Sequence, residues 1–449
     1  MTTTKALTLA AMSLGFGVVQ LDVTIVNTAL NSIGRSFGGG ISALQWIVST
    51  YTVSFAAFIL TAGALGDRVG ARRVFLAGFA LFTLASLGCA LAPSLTVLIA
   101  GRALQGVGAA LLVPSSLALL NHAYPEDEER GRAVGIWAAG ASLALTAGPL
   151  AGGVLIALVG WRSIFLVNLP IGLVGLWLTW RFARESPLMS NRKLDLPGQG
   201  LAIGALGMSA GAMIEGGVLG FRNAWVVAGF ALTAILALLF VWREHRAPQP
   251  MLPPALFAQR LFALMSLAGL LVNVAFYGLI FVLSLYFQQV NGLSPLDTGL
   301  AFVPMMAVLL PLNLLAPRVA EKIGANATIA LGAAIGAAAC IGLLVLARGT
   351  SYGALVAQLL ALGAGLGLLV PPLTSALLGS VQKSRSGVAA AVLNSARQTG
   401  SVLGVSLFGS LAGGAHAFIP GARTALLIAA ALLVITAVMT LAAGHARAA

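Results

Sequence analysis

The sequence predicts an all-α polytopic membrane protein with fourteen transmembrane helices, grouped as six, two and six. Three observations carry that reading. Of the 449 residues, 59% are hydrophobic and 8% charged, with a mean hydropathy of +0.99, whereas a soluble domain carries about 25% charged residues. Apolar runs of about 20 residues, the length a helix needs to cross a bilayer, recur along the whole chain. Lys and Arg collect in alternate connections between those runs. No alternating pattern of about ten residues suggests a membrane barrel.

In chain order the spans fall near 7–30, 43–64, 74–92, 95–119, 134–157, 162–181, 198–217, 224–242, 262–288, 297–317, 327–346, 352–378, 388–411 and 423–443. Two polar joints interrupt the series. Arg181 to Pro197 follows span six, and Arg243 to Arg260, which contains HRAPQPMLPP, follows span eight. They divide the chain into a six-helix bundle (1–182), linkers with two inserted helices (183–259), and a second six-helix bundle (260–449).

Orientation follows from the basic residues. With the N-terminus in the cytoplasm, eighteen of the 25 Lys and Arg fall on the inner side. They include Arg68, Arg72, Arg73, Arg130, Arg132, Arg181, Arg184, Arg192, Lys193, Lys383, Arg385 and Arg447. Five (Arg35, Arg162, Arg222, Arg348 and Arg423) fall outside, while Arg102 and Arg397 lie inside spans. The asymmetry predicts a multi-pass protein of the cell membrane with both termini cytoplasmic. The start, MTTTKALTLA, runs into span one without a small-residue cleavage site, so the first helix is expected to be retained.

An internal repeat supports the grouping. LGDRVGARR after span two matches VAEKIGANA after span ten, aligning Asp67 with Glu321 at an offset of 254. RGRAVGIW at span five matches SRSGVAAA at span thirteen, aligning Arg130 with Arg385 at 255. Duplicated six-span blocks are a layout of alternating-access carriers.

Several function classes drop out. The net charge of +13 is spread over the connections and forms no continuous nucleic-acid patch. Cys89 and Cys340 sit in apolar spans, and His122, His245, His416 and His445 have no metal spacing. No Gly-x-x-x-x-Gly-Lys-[Ser/Thr] loop is present, so ATP hydrolysis is not supported. The chain is expected to be no enzyme and to need no cofactor, with protons as the coupling ion.

Within this frame one residue stands out. Asp22 is the only acid of the twelve well inside an apolar span, where a carboxylate is expensive. Two readings fit it: a structural partner for a buried Arg, or a group that gains and loses a proton during transport. It lies about eight residues, ~12 Å, below the outer end of span one, and Arg102 lies about seven residues, ~10 Å, below the outer start of span four. Their similar depth makes a pair plausible.

Helical phase separates Asp22 from its polar neighbours. At ~100° per residue, Gln20, Thr24, Asn27 and Asn31 share one face of span one and Asp22 projects roughly opposite. Further stripes carry Trp46, Ser49 and Thr50 in span two, and Asn273, Tyr277, Ser284 and Gln288 in span nine. Span thirteen carries Asn394, Arg397, Gln398 and Ser401 at i, i+3, i+4 and i+7. Each of these is either interhelical glue or a wall of the substrate cavity. With Gln105 they form the candidate cavity set. Arg397 is the most expensive of them, which favours a cavity or relay role.

In span five, Gly140, Ala144, Gly148 and Gly152 recur every four residues, letting helices approach closely, and Pro149 permits a bend. Tight packing alone, or a sliding contact between the halves, would use this pattern. Glu215, ~25 Å into span seven, reads as a solvated structural acid near the outer end. The run from Glu126 to Glu129 reads as a solvated turn.

Four segments bear a family resemblance. Gly63-x-Leu65-x-Asp67-Arg68-x-Gly70-x-Arg72-Arg73 matches the signature loop of the major facilitator superfamily. Leu21-Asp22-x-Thr24-Ile25-Val26-Asn27-x-Ala29-Leu30 resembles the first-helix motif of its fourteen-helix drug:proton antiporter branch. Arg102-Ala103-Leu104-Gln105-Gly106-x-Gly108 resembles the fourth-helix motif, and Gly148-Pro149-x-x-Gly152-Gly153 the antiporter motif of the fifth. Ala71 departs from the pattern, where many relatives carry a basic residue. The resemblance spans essentially the whole chain.

It implies the major facilitator fold and a monomer in contact with membrane lipid. It also implies proton-coupled export of small amphiphilic or cationic drugs by alternating access. A dedicated exporter of one metabolite, antibiotic or lipid-like compound is the alternative. Asp22 and Arg102 would serve the proton. Gly63, Asp67, Arg68, Gly70 and Arg72, with Gly148, Pro149, Gly152 and Gly153, would serve conformational gating, the Asp67 loop as a latch on the outward-facing state.

Overall fold

A computed structural model describes residues 3–188, 195–382, 386–413 and 418–448. Its fourteen long helices are α1 (Thr3–Phe37), α2 (Ile41–Val69), α3 (Ala71–Ala90), α4 (Leu95–Ala123) and α5 (Asp127–Val159), then α6 (Ser163–Phe182), α7 (Leu196–Leu219), α8 (Ala224–Arg246) and α9 (Arg260–Val290). The series ends with α10 (Pro295–Ile323), α11 (Ala325–Val345), α12 (Gly353–Gly379), α13 (Ser386–Ala412) and α14 (Phe418–Ala448). The last five residues of α9, Tyr286–Val290, widen into a π turn. Every predicted span is a helix. Thirteen of the fourteen are long and apolar enough to cross a membrane. The exception, α13, is the helix that carries Asn394, Arg397 and Gln398. Arg192, Lys193, Lys383, Arg385 and His416 lie outside the described residues, as do the side chains of Asp127, His445 and Arg447. The Arg130–Arg385 match therefore has no described counterpart.

The sequence repeat has a structural image. In the first half α1 packs on α5, α4 and α6, and α3–α4, α2–α4 and α3–α6 complete the bundle. In the second half α9 packs on α13, α12 and α14, and α11–α12, α10–α12 and α11–α14 repeat the scheme. The turns after α2 and α10 both pivot on a glycine with positive φ, Gly70 at 106° and Gly324 at 90°, conformations that only glycine adopts readily. Close helix approaches repeat too. A Cβ at Gly78 would lie 2.9 Å from Leu111 of α4, and one at Gly332 would lie 2.9 Å from the Leu369 nitrogen of α12. Gly70–Gly324 and Gly78–Gly332 keep the offset of 254. The fold is thus two six-helix bundles plus an inserted pair.

The inserted helices differ in their company. α7 packs on α2 and α13 as well as α8, whereas α8 has α7 as its main neighbour. Near its start α7 is tied to the first half, where Gln199 bonds the Thr61 hydroxyl and donates to the Ala57 carbonyl at 3.0 Å. Near its end it meets the second half, where a Cβ at Gly217 would lie 2.8 Å from the Ser410 Cα. α8 exposes Trp225, Ile235, Leu238 and Trp242.

The two halves close on each other at one face, remote from the start of α1. Among the described residues, every hydrogen bond between the halves lies there. Gln45 donates to the Val405 and Ser406 carbonyls at 3.1 and 2.8 Å, Ser49 meets the Ser406 hydroxyl at 3.3 Å, and Gln288 donates to the Asn27 carbonyl at 3.5 Å. Backbones also press together there. A Cβ at Gly153 would sit 2.8 Å from the Pro295 oxygen, and one at Gly299 would sit 3.2 Å from the Leu150 Cα. The α2–α13 and α5–α10 contacts are equivalent under the repeat.

Gly153→Leu is expected to wedge this seam apart. Spin labels at the exposed positions Arg35 and Arg348 should report a longer, broader distance by pulsed electron resonance. Unchanged distances would show that the seam does not depend on backbone contact. Both native cysteines are buried and do not compete for label.

Candidate functional site

Asp22 and Arg102 form an ion pair in the interior of the first half, their side chains 0% and 1% exposed. The guanidinium makes three hydrogen bonds. Nη1 donates to Asp22 Oδ2 and, at 2.8 Å, to Gln105 Oε1, while Nε donates to the Ile47 carbonyl at 3.2 Å. Its plane lies over the Tyr51 ring, 4.3 Å from the centroid, with Phe165 at 5.9 Å. Such a cation–ring contact is strongest when water is excluded.

The carboxylate is also held by a second residue of α4 and by α6. Gln105 Nε2 and Asn168 Nδ2 approach Asp22 Oδ1 at 3.4 and 3.3 Å. Both amides also donate to Ser86, at 2.7 and 3.3 Å, and the Cys89 thiol meets Gln105 Oε1 at 3.4 Å. One network thus joins α1, α3, α4 and α6, with Tyr51 of α2 as its lid. Gln105, expected on the cavity wall, belongs instead to this network, because its i+3 spacing places it beside Arg102. Sequence reasoning missed Ser86, Cys89, Asn168 and Tyr51. A signal existed for Asn168, a single amide in the apolar stretch FLVNLPIG.

The polar stripe of α1 divides on folding. Pro149 has no N–H, which leaves the carbonyl four residues earlier without its helical partner. That carbonyl belongs to Leu145, and the Thr24 hydroxyl donates to it at 2.9 Å. Gly148 and Gly152 make this approach possible: a Cβ at either would come within 3.1 Å of the Ile25 backbone. Thr24, expected in the cavity, is therefore a repair to the proline break and is fully buried. Asn27 is buried at the seam beside Gln288, with its Oδ1 unpartnered. Gln20 stays half-buried.

Trp46 is half-buried. Its indole Nε1 points to Glu215 of α7 at 3.5 Å, and its ring lies against Gly211. Trp46 serves the α2–α7 contact, and Glu215 is part-buried there rather than fully solvated. Thr50 is half-buried with an unpartnered, buried hydroxyl oxygen.

In the second half, Arg397 and Asn394 of α13 are half-buried, as is Asn273 of α9, which donates to the Gly269 carbonyl at 2.7 Å. Gln398, Tyr277 and Gln288 are buried. Arg397 donates to the Thr374 hydroxyl of α12 at 2.6 Å. Tyr277 lies within electrostatic reach of Arg397 and of Tyr51 in the first half. Thr374 carried no sequence signal beyond its place after Pro371-Pro372.

The signature loop is bound by a residue the motif does not contain. Glu185, in the linker after α6, accepts from the Arg72 backbone N–H at 2.8 Å and lies 3.8 Å from the Arg73 guanidinium. Ser186 accepts from the Ala71 N–H at 3.2 Å, and the Arg72 side chain donates to the Trp180 carbonyl at 2.7 Å. A carboxylate at a helix N-terminus satisfies free N–H groups and opposes the helix dipole. Asp67 and Arg68 lie in the last turn of α2, and Gly63 packs by Pro114.

The profile of the Major Facilitator Superfamily matches residues 12–405. The chain is 37% identical over 401 residues to a methylenomycin A resistance protein of Streptomyces coelicolor, covering 89% of this chain and 84% of that one. It is 38% identical over 413 residues to the multidrug resistance protein Stp of Mycobacterium tuberculosis, covering 92% and 76%. A crystal structure of a POT family transporter with a thioalcohol-conjugated peptide superposes with a TM-score of 0.72 at 14% identity, over 98% of this chain and 95% of that one.

Thr24→Val is expected to leave the Leu145 carbonyl unsatisfied and to lower stability by ~1–3 kcal/mol, the cost of a buried polar group without its partner. Thr24→Ser should keep most of the wild-type stability. Thermal unfolding in detergent micelles measures both. Equal stability of the Val and Ser variants would disprove the role given to the hydroxyl.

Proposed function

The chain belongs to the Major Facilitator Superfamily, and from that premise we propose that it is a proton-coupled antiporter that exports small amphiphilic compounds from the cell by alternating access. It is a multi-pass membrane transporter and not an enzyme. The relatives named for resistance to methylenomycin A and to multiple drugs support drug export. The excess of basic residues on the face that holds the N-terminus supports a cytoplasmic position for that face. The seam, closed at the opposite face, then corresponds to an inward-facing state.

The observation that carries the proton coupling is the buried Asp22–Arg102 pair. Protonating Asp22 removes the counter-ion of a guanidinium that is enclosed by protein. Unpaired charge in the membrane is costly, so protonation favours a conformation in which Arg102 is stabilised differently. The pair also touches the gate. Arg102 holds the carbonyl of Ile47, and Ile47 lies between Gln45 and Ser49, the two α2 residues that bind α13 across the seam. A change at Arg102 therefore reaches the closed face through one helix. The proton shifts the equilibrium by as much as the two states differ in affinity for it.

Asp22→Asn is expected to abolish export driven by an inward proton gradient in proteoliposomes while leaving substrate exchange without a gradient. Persistence of gradient-driven export in that variant would remove Asp22 from the coupling step. A dedicated exporter of one antibiotic is a second reading, favoured by the single-compound name of the Streptomyces coelicolor relative. Export assays over a broad compound panel should then yield one compound or close analogues only.

A further inference from the structure

Deep inside the spans one cation, Arg397, has no carboxylate partner among the described residues. Asp22 and Arg102 neutralise each other within the first half. Glu215 is turned toward Trp46 on the inserted helix α7. Arg397 stands about twelve residues into α13, ~17 Å from its start and so near mid-membrane. Among the described residues no carboxylate pairs with it. Of the five N–H donors of a guanidinium, the structure assigns one, to Thr374. Its titratable neighbour is Tyr277, a phenol rather than an acid. Buried amide and hydroxyl oxygens on the same helix, Gln398 Oε1 and Ser401 Oγ, also have no partner. Charged residues in membrane spans pair with one another or face a polar cavity. A guanidinium with free donors and no internal counter-ion is a receptor for one supplied from outside, and its planar fork matches a carboxylate.

We propose that the transported compounds carry a carboxylate or comparable anionic group, which Arg397 binds with Thr374 at its side. This rests on the antiporter reading above and names the substrate class of that site. It replaces the expectation of cationic drugs.

The test uses the full chain in nanodiscs and proteoliposomes. The probes are aromatic and aliphatic carboxylic acids, each matched with its primary amide and its aminomethyl analogue. Acids are expected to bind at least about tenfold more tightly than their amides, the ratio one charge-assisted hydrogen bond supplies. Arg397→Gln should erase that ratio while amide binding is retained, and Arg397→Lys should restore part of it. The Lys variant and retained amide binding separate loss of recognition from loss of fold. The proposal is overturned if no acid binds, if amines bind best, or if Arg397→Gln weakens all three classes alike. Export assays separate the two readings. Amines exported against a pH gradient with acids ignored would leave the antiporter and remove the anion site. Acids binding through Arg397 while nothing moves with the gradient would do the reverse.

Discussion

A carboxylate and a guanidinium enclosed together, away from water and lipid, are the constraint on which the first half depends. A buried pair is a weak source of stability, because desolvation offsets much of the attraction, but losing one partner leaves the other uncompensated. Asp22 and Arg102 are therefore surrounded by groups that do little else. Gln105, Asn168 and Ser86 complete the hydrogen bonds, and Tyr51 and Phe165 cover the cation. Five helices of the half, α1, α2, α3, α4 and α6, are positioned by this one cluster. Any change in its charge is felt by all of them, which is what a coupling site requires.

The fifth helix of that half, α5, is committed to packing. One side carries Gly148 and Gly152 and admits α1 so closely that Thr24 reaches a backbone carbonyl. Another side presents Pro149 and Gly153 to α10 in the second half. A helix with glycines on two faces can hold one neighbour and release another, because the contacts to be broken on the α10 side are van der Waals contacts rather than hydrogen bonds. The repeat-related helix α13 has the same spacing at Gly400 and Gly404, which close on α9. It differs by carrying hydrogen-bonding groups on its other faces, including Ser406 at the seam and Arg397 below it. The duplication supplied a common frame, and the two copies diverged into a charged pair in one half and a single cation in the other.

Much was legible in the chain itself. Fourteen apolar lengths, two intramembrane arginines, one deep acid and the glycine spacing of α5 follow from hydropathy, charge cost and helical period, which act locally and leave marks at known intervals. The offset of 254 was readable because the same turn needs the same glycine twice. Partners were not legible in this way. Helical phase predicts the face a side chain occupies but not the helix opposite, so it did not show that Thr24 and Gln105 are fully buried between helices or that Trp46 meets α7. Thr24 belongs to Pro149 only because α1 lies against α5. Glu185 belongs to the signature loop only because the linker after α6 turns back onto α3. Asn168 joins Asp22 across 146 residues. Sequence alone determined which charges must be buried, because the bilayer leaves no alternative. The tertiary structure decided which of them are neutralised and which is not, because that depends on distances between helices that no single helix encodes.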